Sequence, residues 1–345
     1  MVTILTLLLL LLLLASPINS NHIPAIYIFG DSLVDSGNNN YLPIPSDAKF
    51  LPFGIDFGSG KPTGRCTNGK TVVDYLAIHL GLPFVPPYLG LTEAKRNKII
   101  TGINFASAGS GILPETNNVS ISLKTLTLDM QIQLFKRVIQ NNLAKIFNEK
   151  EKLEKHISES LFIVSSGVND HFLSRGNFRG SRKFEFHLLR EFFLHLQKIY
   201  FLGGRKFFVN NLPPAGCFPS KSARLRGKCN ETINKEISLY NNILLNVLKT
   251  MQSQFPGFMF IYSDLYEHLM ELRENGHKYG ILETWKPCCP YNISGDLKCN
   301  RYSDVCPNRN THLFFDDHPS QIANKIYARH CFIQKKICKS SGIKL

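Results

Sequence analysis

The chain has 345 residues, 43% of them hydrophobic and 19% charged, with a formal net charge of +14. That much apolar material supplies a core and excludes a long disordered or low-complexity chain. The positive excess lies in short clusters at residues 175–183, 221–228 and 334–339, which carry a single aromatic, Phe178; this excludes nucleic acid as the expected partner and reads as solvated faces, with adhesion to an acidic cell-wall polymer as the secondary expectation.

The first element in chain order is a leucine run, Leu7 to Leu14, followed by Ala15, Ser16, Pro17 and Ser20. It is shorter than the roughly 20 apolar residues a bilayer requires and ends in small residues, so residues 1–20 read as a secretory signal peptide. The expected product is secreted and extracellular, a single domain over residues 21–345. Its length of about 325 residues is near the limit for one core.

A strand is expected at "AIYIFG", which runs straight into "DSLVDSGNNN" with no helical period between them. The Pro/Gly-rich residues 43–69 read as a long surface loop. Further strands are expected at "INFAS" (from Ile103), "LFIVSSG" (from Leu161), "KFFVNNL" (from Lys206) and "FMFIYSD" (from Phe258). Between them, Leu128, Ile132, Phe135, Ile139, Leu143 and Ile146 recur at helical spacing and share one face. A second helix is expected over residues 184–202, stopping at Gly203-Gly204, and a third over 232–254, stopping at Pro256-Gly257.

Continuous apolar strands alternating with helices imply a parallel sheet covered on both faces. The fold class is therefore α/β, a three-layer α/β/α sandwich with a central parallel sheet. In such sheets the functional groups gather where the chain leaves the carboxyl ends of strands, which is where Ser32, Ala108-Gly109, Val168-Asn169-Asp170 and Asn210-Asn211 stand.

Nine cysteines, an odd number, imply several disulfides with at least one thiol left over. Cys217 and Cys229 bracket a loop-like segment and are the expected pair. No Cys-x-x-Cys occurs, so a zinc module is disfavoured. Sequons at Asn118, Asn230 and Asn292 agree with export and glycosylation.

A serine becomes a nucleophile only beside a base that takes its proton and donors that receive the oxyanion formed on the attacked carbonyl. "FGDS" alone is an ordinary turn composition, and no Gly-x-Ser-x-Gly elbow occurs. Taken together, however, "FGDSLVDSGNNN", "GKPTGRCTNGKTVVDYLA", "GINFASAGSGIL", "SSGVND" and "FFDDHPSQIANK" occur in order across nearly the whole mature chain. That set resembles the plant GDSL esterase/lipase family of the SGNH hydrolase superfamily.

The resemblance implies an esterase/lipase that forms an acyl-enzyme on Ser32, with His318 as base and Gly109 and Asn169 as oxyanion donors. It implies no metal or organic cofactor and no obligate protein partner. Glycine admits close approach to a backbone N–H, and an asparagine amide donates hydrogen without carrying charge. One departure stands out: the family pattern Asp-x-x-His puts its acid where Phe315 lies here, so Asp316 is the expected orienting acid and Asp317 the runner-up. The alternatives are a catalytically impaired binding protein of the same fold and an acyltransferase. Lipid, polyester, phenolic ester and acetylated polysaccharide all remain open as ester substrates.

Overall fold

Four short apolar runs form the parallel part of one sheet: β1 (Ile26–Gly30), β2 (Leu161–Ser165), β3 (Lys206–Asn210) and β4 (Met259–Ser263), adjacent in that order. β5 (Glu283–Pro287) and β6 (His312–Phe314) pair with each other in a separate parallel ribbon, and β7 (Cys338–Ser340) closes the main sheet antiparallel to β4. The computed structural model describes residues 22–44, 46–118, 125–173, 181–289 and 299–345. The expected leader, the side chain of Asn118, and Asn292 lie outside the described residues, as does much of the first basic cluster.

The principal helices are α1 (Val72–His79), α2 (Leu128–Val138), α3 (Lys150–Glu159), α4 (Val168–Leu173), α5 (Arg182–Phe201), α6 (Glu231–Gln254), α7 (Leu265–Asn275) and α8 (Gln321–Ala328). Two groups of them cover the sheet. Because side chains alternate along each strand, Tyr27, Phe162 and Phe207 share one face. There Tyr27 meets Phe135 of α2 at 4.8 Å between ring centroids, and the row continues through Phe162 and Phe207 to Phe258 at spacings of 5.5, 5.7 and 4.7 Å. Each such pair adds about 1 kcal/mol beyond its area burial. On the other face Phe208 meets Phe332, and Asn210 and Ser263 bond the Tyr327 hydroxyl on α8. The result is an α/β/α arrangement. Among the described residues no helix is long and apolar enough to cross a membrane.

Helix ends follow local chemistry. Ser181 caps α5 by accepting from Phe184 N–H, and Asn230 caps α6 by accepting from Ile233 N–H. α2 continues beyond Val138 through a wide turn at Ile139–Leu143 into Ala144–Phe147, so the expected long apolar face persists with one extra residue inserted.

"INFAS" differs from expectation. Residues 101–107 lie beside β1 with strand-type bonds (Ile26 N–H to Thr101 O, Ile28 N–H to Ile103 O, Phe105 N–H to Ile28 O, Ser107 N–H to Gly30 O), yet form no regular strand. The Asn104 backbone pairs outward with residues 86–88 (Asn104 N–H to Pro86 O, Tyr88 N–H to Asn104 O), while its side chain accepts from Ala106 N–H and donates to Val34 O in the turn after β1.

A second, smaller core lies under the loops. It gathers Ala48, Phe53, Cys66, Cys288, Cys289, Cys299 and Phe315, with half-buried Ala108 against it. Four disulfides are present: Cys217–Cys229, as expected, with Cys288–Cys306, Cys289–Cys299 and Cys331–Cys338. Cys66 is buried and lies outside them.

Candidate active site

β1 ends at Gly30, whose φ of +141° and contact with β2 both exclude a side chain; a Cβ there would lie 1.9 Å from Ser165 O. The chain then turns at once. Asp31 is buried and accepts from Leu33 N–H at 3.0 Å, leaving Ser32 half-exposed at the carboxyl end of the strand. Burial pushes the Asp31 carboxyl up to about 7, against the lowering effects of the Leu33 bond and of nearby His318.

His318 arrives from the far end of the chain on a tight hairpin. β6 delivers Phe315, whose N–H donates to His318 O at 2.9 Å, while Phe314 bridges Pro319 antiparallel. Inside the turn Asp316 Oδ1 accepts from His318 N–H and from the ring at Nδ1, both at 2.9 Å. The other ring nitrogen, Nε2, lies 2.8 Å from Ser32 Oγ. With Asp316 ionised, Nδ1 carries the hydrogen and Nε2 is left to accept from the serine hydroxyl. Burial pushes the imidazole down, but the adjacent Asp316 carboxylate more than offsets it and holds His318 above its usual range. The shortened spacing is thus absorbed by the hairpin. Asp317 points elsewhere: its Oδ1 accepts from Ser220 N–H at 2.7 Å, tying the turn to the segment closed by the Cys217–Cys229 bridge.

The hairpin is held from beneath. Cys288 N–H donates to Phe314 O and Cys289 N–H to Phe315 O, and each of these cysteines is disulfide-bonded. From the other side Thr67 Oγ1 donates to Pro319 O at 2.9 Å, and Asn68 Oδ1 accepts from Gln321 N–H at 2.8 Å. Arg65, two residues earlier, grips Asp74 of α1 with two bonds of 2.7 and 2.6 Å and reaches Ser36 O.

Gly109 adopts φ +85° in the loop after residues 101–107. Neither its N–H nor that of Ser32 has a hydrogen-bond acceptor among the described residues. Asn169, in the first turn of α4, donates from Nδ2 to Ser110 O at 2.9 Å, which draws its amide to the loop bearing Gly109 and leaves one amide hydrogen over. The buried neighbour Asp170 locks the same junction by accepting from Ile112 N–H, Leu113 N–H and Thr116 Oγ1. Ser32, Gly109, Asn169, Asp316 and His318 are all partly exposed, whereas Asp31, Ser110 and Asp170 beside them are buried. The five candidate groups reach solvent and the residues that brace them do not.

One reading changes. "GNNN" reads from sequence as plain loop material, but Asn38 and Asn39 are buried. Asn38 Nδ2 donates to Asn104 O and Ala106 O while its Oδ1 accepts from Leu89 N–H; Asn39 Nδ2 donates to Ala108 O and its Oδ1 accepts from Ser107 Oγ. Asp35, also buried, accepts from Gly37, Asn38 and Ala108 N–H. These side chains clamp the loop carrying Gly109 to the loop carrying Ser32. A run of three asparagines after an Asp-Ser-Gly was the available signal; the partners, about 70 positions away, were not visible.

Comparison with known proteins agrees with this chemistry. Residues 26–331 match the family described as GDSL-like Lipase/Acylhydrolase. The chain is 38% identical over 319 residues to GDSL esterase/lipase At2g04020 of Arabidopsis thaliana, covering 91% of this chain and 86% of that protein. It is 36% identical over 323 residues to GDSL esterase/lipase 7 of the same plant, covering 90% and 87%, and 34% identical over 321 residues to GDSL esterase/lipase At1g71691, covering 90% and 82%.

Proposed function

The chain belongs to the GDSL-like lipase/acylhydrolase family and is a carboxylic ester hydrolase, and from that premise we propose that it works by two-step acyl transfer through Ser32. His318 Nε2 takes the Ser32 proton as Oγ bonds to the ester carbonyl carbon. The resulting oxyanion is received by the N–H groups of Ser32 and Gly109 and the free amide hydrogen of Asn169. As the tetrahedral species collapses, the bond to the alcohol oxygen breaks and His318 returns the proton to it. Water then repeats the sequence on the acyl-enzyme: His318 accepts its proton, hydroxide adds to the carbonyl, and the acid leaves as Ser32 is reprotonated. Asp316 fixes the tautomer throughout and balances the imidazolium.

The observation that carries this reading is the continuous relay from Asp316 through His318 to Ser32, with contacts of 2.9 and 2.8 Å. It weighs against the impaired-binding alternative, which the shortened acid–histidine spacing had favoured. Incubation with a short-chain p-nitrophenyl ester, beside Ser32→Ala, tests it. Release of p-nitrophenol by the parent alone, and labelling of Ser32 by an organophosphonate, are expected; no release and no label would overturn it.

Export as a single domain over residues 21–345, after removal of residues 1–20, is part of the same proposal. Four disulfides support it, because such bonds persist in oxidising compartments. N-terminal sequencing of protein recovered from culture medium tests it, the expected start lying at or near Asn21. The ester acted on is proposed only as a lipid, polyester, phenolic ester or acetylated polysaccharide, to be assigned by a screen across those four classes.

A further inference from the structure

α2 packs on the sheet with its apolar face, and at its fourth residue that face is broken by a glutamine. Gln131 is wholly buried. A long amide side chain in such a place is retained only if its hydrogen bonds are made, and all of them are. Gln131 Oε1 accepts from Gly30 N–H at 2.8 Å. Its Nε2 hydrogens are shared among Gly30 O at 2.9 Å, Leu126 O at 3.0 Å and Ser110 Oγ at 3.2 Å.

The partners matter more than their number. Gly30 lies two residues before Ser32, and Ser110 directly follows Gly109. The Ser110 carbonyl is also the acceptor that holds the Asn169 amide. The Gly30 carbonyl, in turn, accepts from Ser107 N–H at 3.0 Å. One side chain therefore touches the backbone at the root of Ser32, the residue next to Gly109, and the residue to which Asn169 is bonded. Three donors that come from three separate segments share a single internal brace.

We propose that Gln131 is a positioning residue which sets the oxyanion donors of Ser32, Gly109 and Asn169 in register. The proposal rests on the assignment of those donors made above. Donors act on an oxyanion in proportion to how well they are placed before the charge develops, and small misplacements are expensive in rate. Gln131 does not touch substrate or His318; it acts through Gly30 and Ser110. Its removal therefore weakens the tetrahedral state more than the bound ester, and leaves the titration of His318 alone.

The test uses Gln131→Met, which keeps length and apolar packing but removes every polar contact, and Ser110→Ala, which removes only the Oγ partner. Three quantities are measured on the full secreted chain: kcat and KM for p-nitrophenyl acetate, the inhibition constant of a boronic acid whose adduct on Ser32 is tetrahedral, and the pH at the midpoint of the acid limb. For Gln131→Met the expected result is a fall in kcat of about 100-fold with KM within about twofold, a matching loss of boronate affinity, and an unmoved acid limb. Ser110→Ala is expected to lower kcat and boronate affinity together by about threefold to tenfold. A folded Gln131→Met enzyme with kcat within threefold of the parent overturns the proposal, as does a loss of kcat with boronate affinity intact. Should Gln131→Met fail to fold, Ser110→Ala decides, and unchanged kcat and boronate affinity in it overturn the proposal. Failure of the parent itself to be labelled at Ser32 would instead overturn the reading on which the proposal stands, a distinct result.

Discussion

A single oxygen of Asp316 receives two hydrogen bonds from His318, one from the backbone N–H and one from the ring, each 2.9 Å long. This is possible because Phe315 and His318 close a hairpin around the two acids, so the carboxylate curls back over the peptide it precedes. Two residues of separation suffice where an open loop would need three. The backbone bond also removes freedom from the carboxylate, so the ring is aligned before substrate arrives.

Asp316→Asn is expected to lower kcat/KM by about 10³ to 10⁴-fold, since the amide favours the wrong tautomer. Asp317→Asn is expected to cost about tenfold or less, because its Oδ1 accepts from Ser220 N–H and its charge raises His318 less than that of Asp316. Steady-state kinetics of the two variants decide the point. Equal losses would remove the distinction between the acids.

The pH profile follows from the same pair. Only neutral His318 accepts the Ser32 proton, and the Asp316 carboxylate holds the imidazole above its usual value. Activity is therefore expected to rise with pH through a midpoint above about 6.5, the ordinary imidazole pKa. In Asp316→Asn the midpoint moves down. Measuring kcat/KM from pH 4 to 9 checks both; a midpoint below the ordinary value in the parent contradicts the electrostatics.

Asp31 predicts a stability effect of opposite sign to that of a salt-bridged carboxylate. Burial pushes it up to about 7, so the fold favours its neutral form. Between about pH 4, where the unfolded carboxyl ionises, and that raised value, the folded chain binds more protons than the unfolded one. Stability contributed by this group is present at low pH and is lost as pH rises. Asp31→Asn removes that loss, worth on the order of 4 kcal/mol at pH 8. Thermal unfolding at pH 5 and pH 8 should show a smaller decline in the variant; identical declines would refute the expectation.

The paired substitution Cys289→Ser with Cys299→Ser is expected to lower stability by about 2 to 4 kcal/mol. It should also lower kcat about tenfold, because Cys289 N–H supports the Phe315 carbonyl at the base of the histidine hairpin. Denaturant unfolding and kinetics on the same preparation separate the two effects. An unchanged kcat would show that the hairpin stands without that bridge.

Most of the sheet was legible because β1 to β4 are buried on both faces and so read as unbroken apolar runs. Ser32 and His318 stood out through motif context, and the structure puts their side chains in contact across 286 positions of sequence. What the sequence hid was reciprocal bonding. Asp35, Asn38 and Asn39 look like turn formers because their partners on residues 104–108 are about 70 positions away. Gln131 did leave a trace, a polar residue on a face otherwise made of Leu128, Ile132 and Phe135, but its partner Gly30 is 101 positions earlier. "INFAS" has the composition of a strand and lies where a strand would, with Asn104 bridged to both Ile28 and Pro87, yet the bridges stay isolated and no regular strand forms.

The margins of the main sheet have a consequence for handling the protein. Unpaired strand borders recruit other chains and seed fibrils. Here residues 101–107 occupy the outer side of β1, and β7, three residues long with Lys339 at its centre, occupies that of β4. β7 is fastened by Cys331–Cys338. With that bond opened, only the short ladder to β4 and the bonds between Ser341 and Phe260 hold β7 on Met259–Ser263, so light scattering well below the unfolding temperature is expected to rise on adding a reductant.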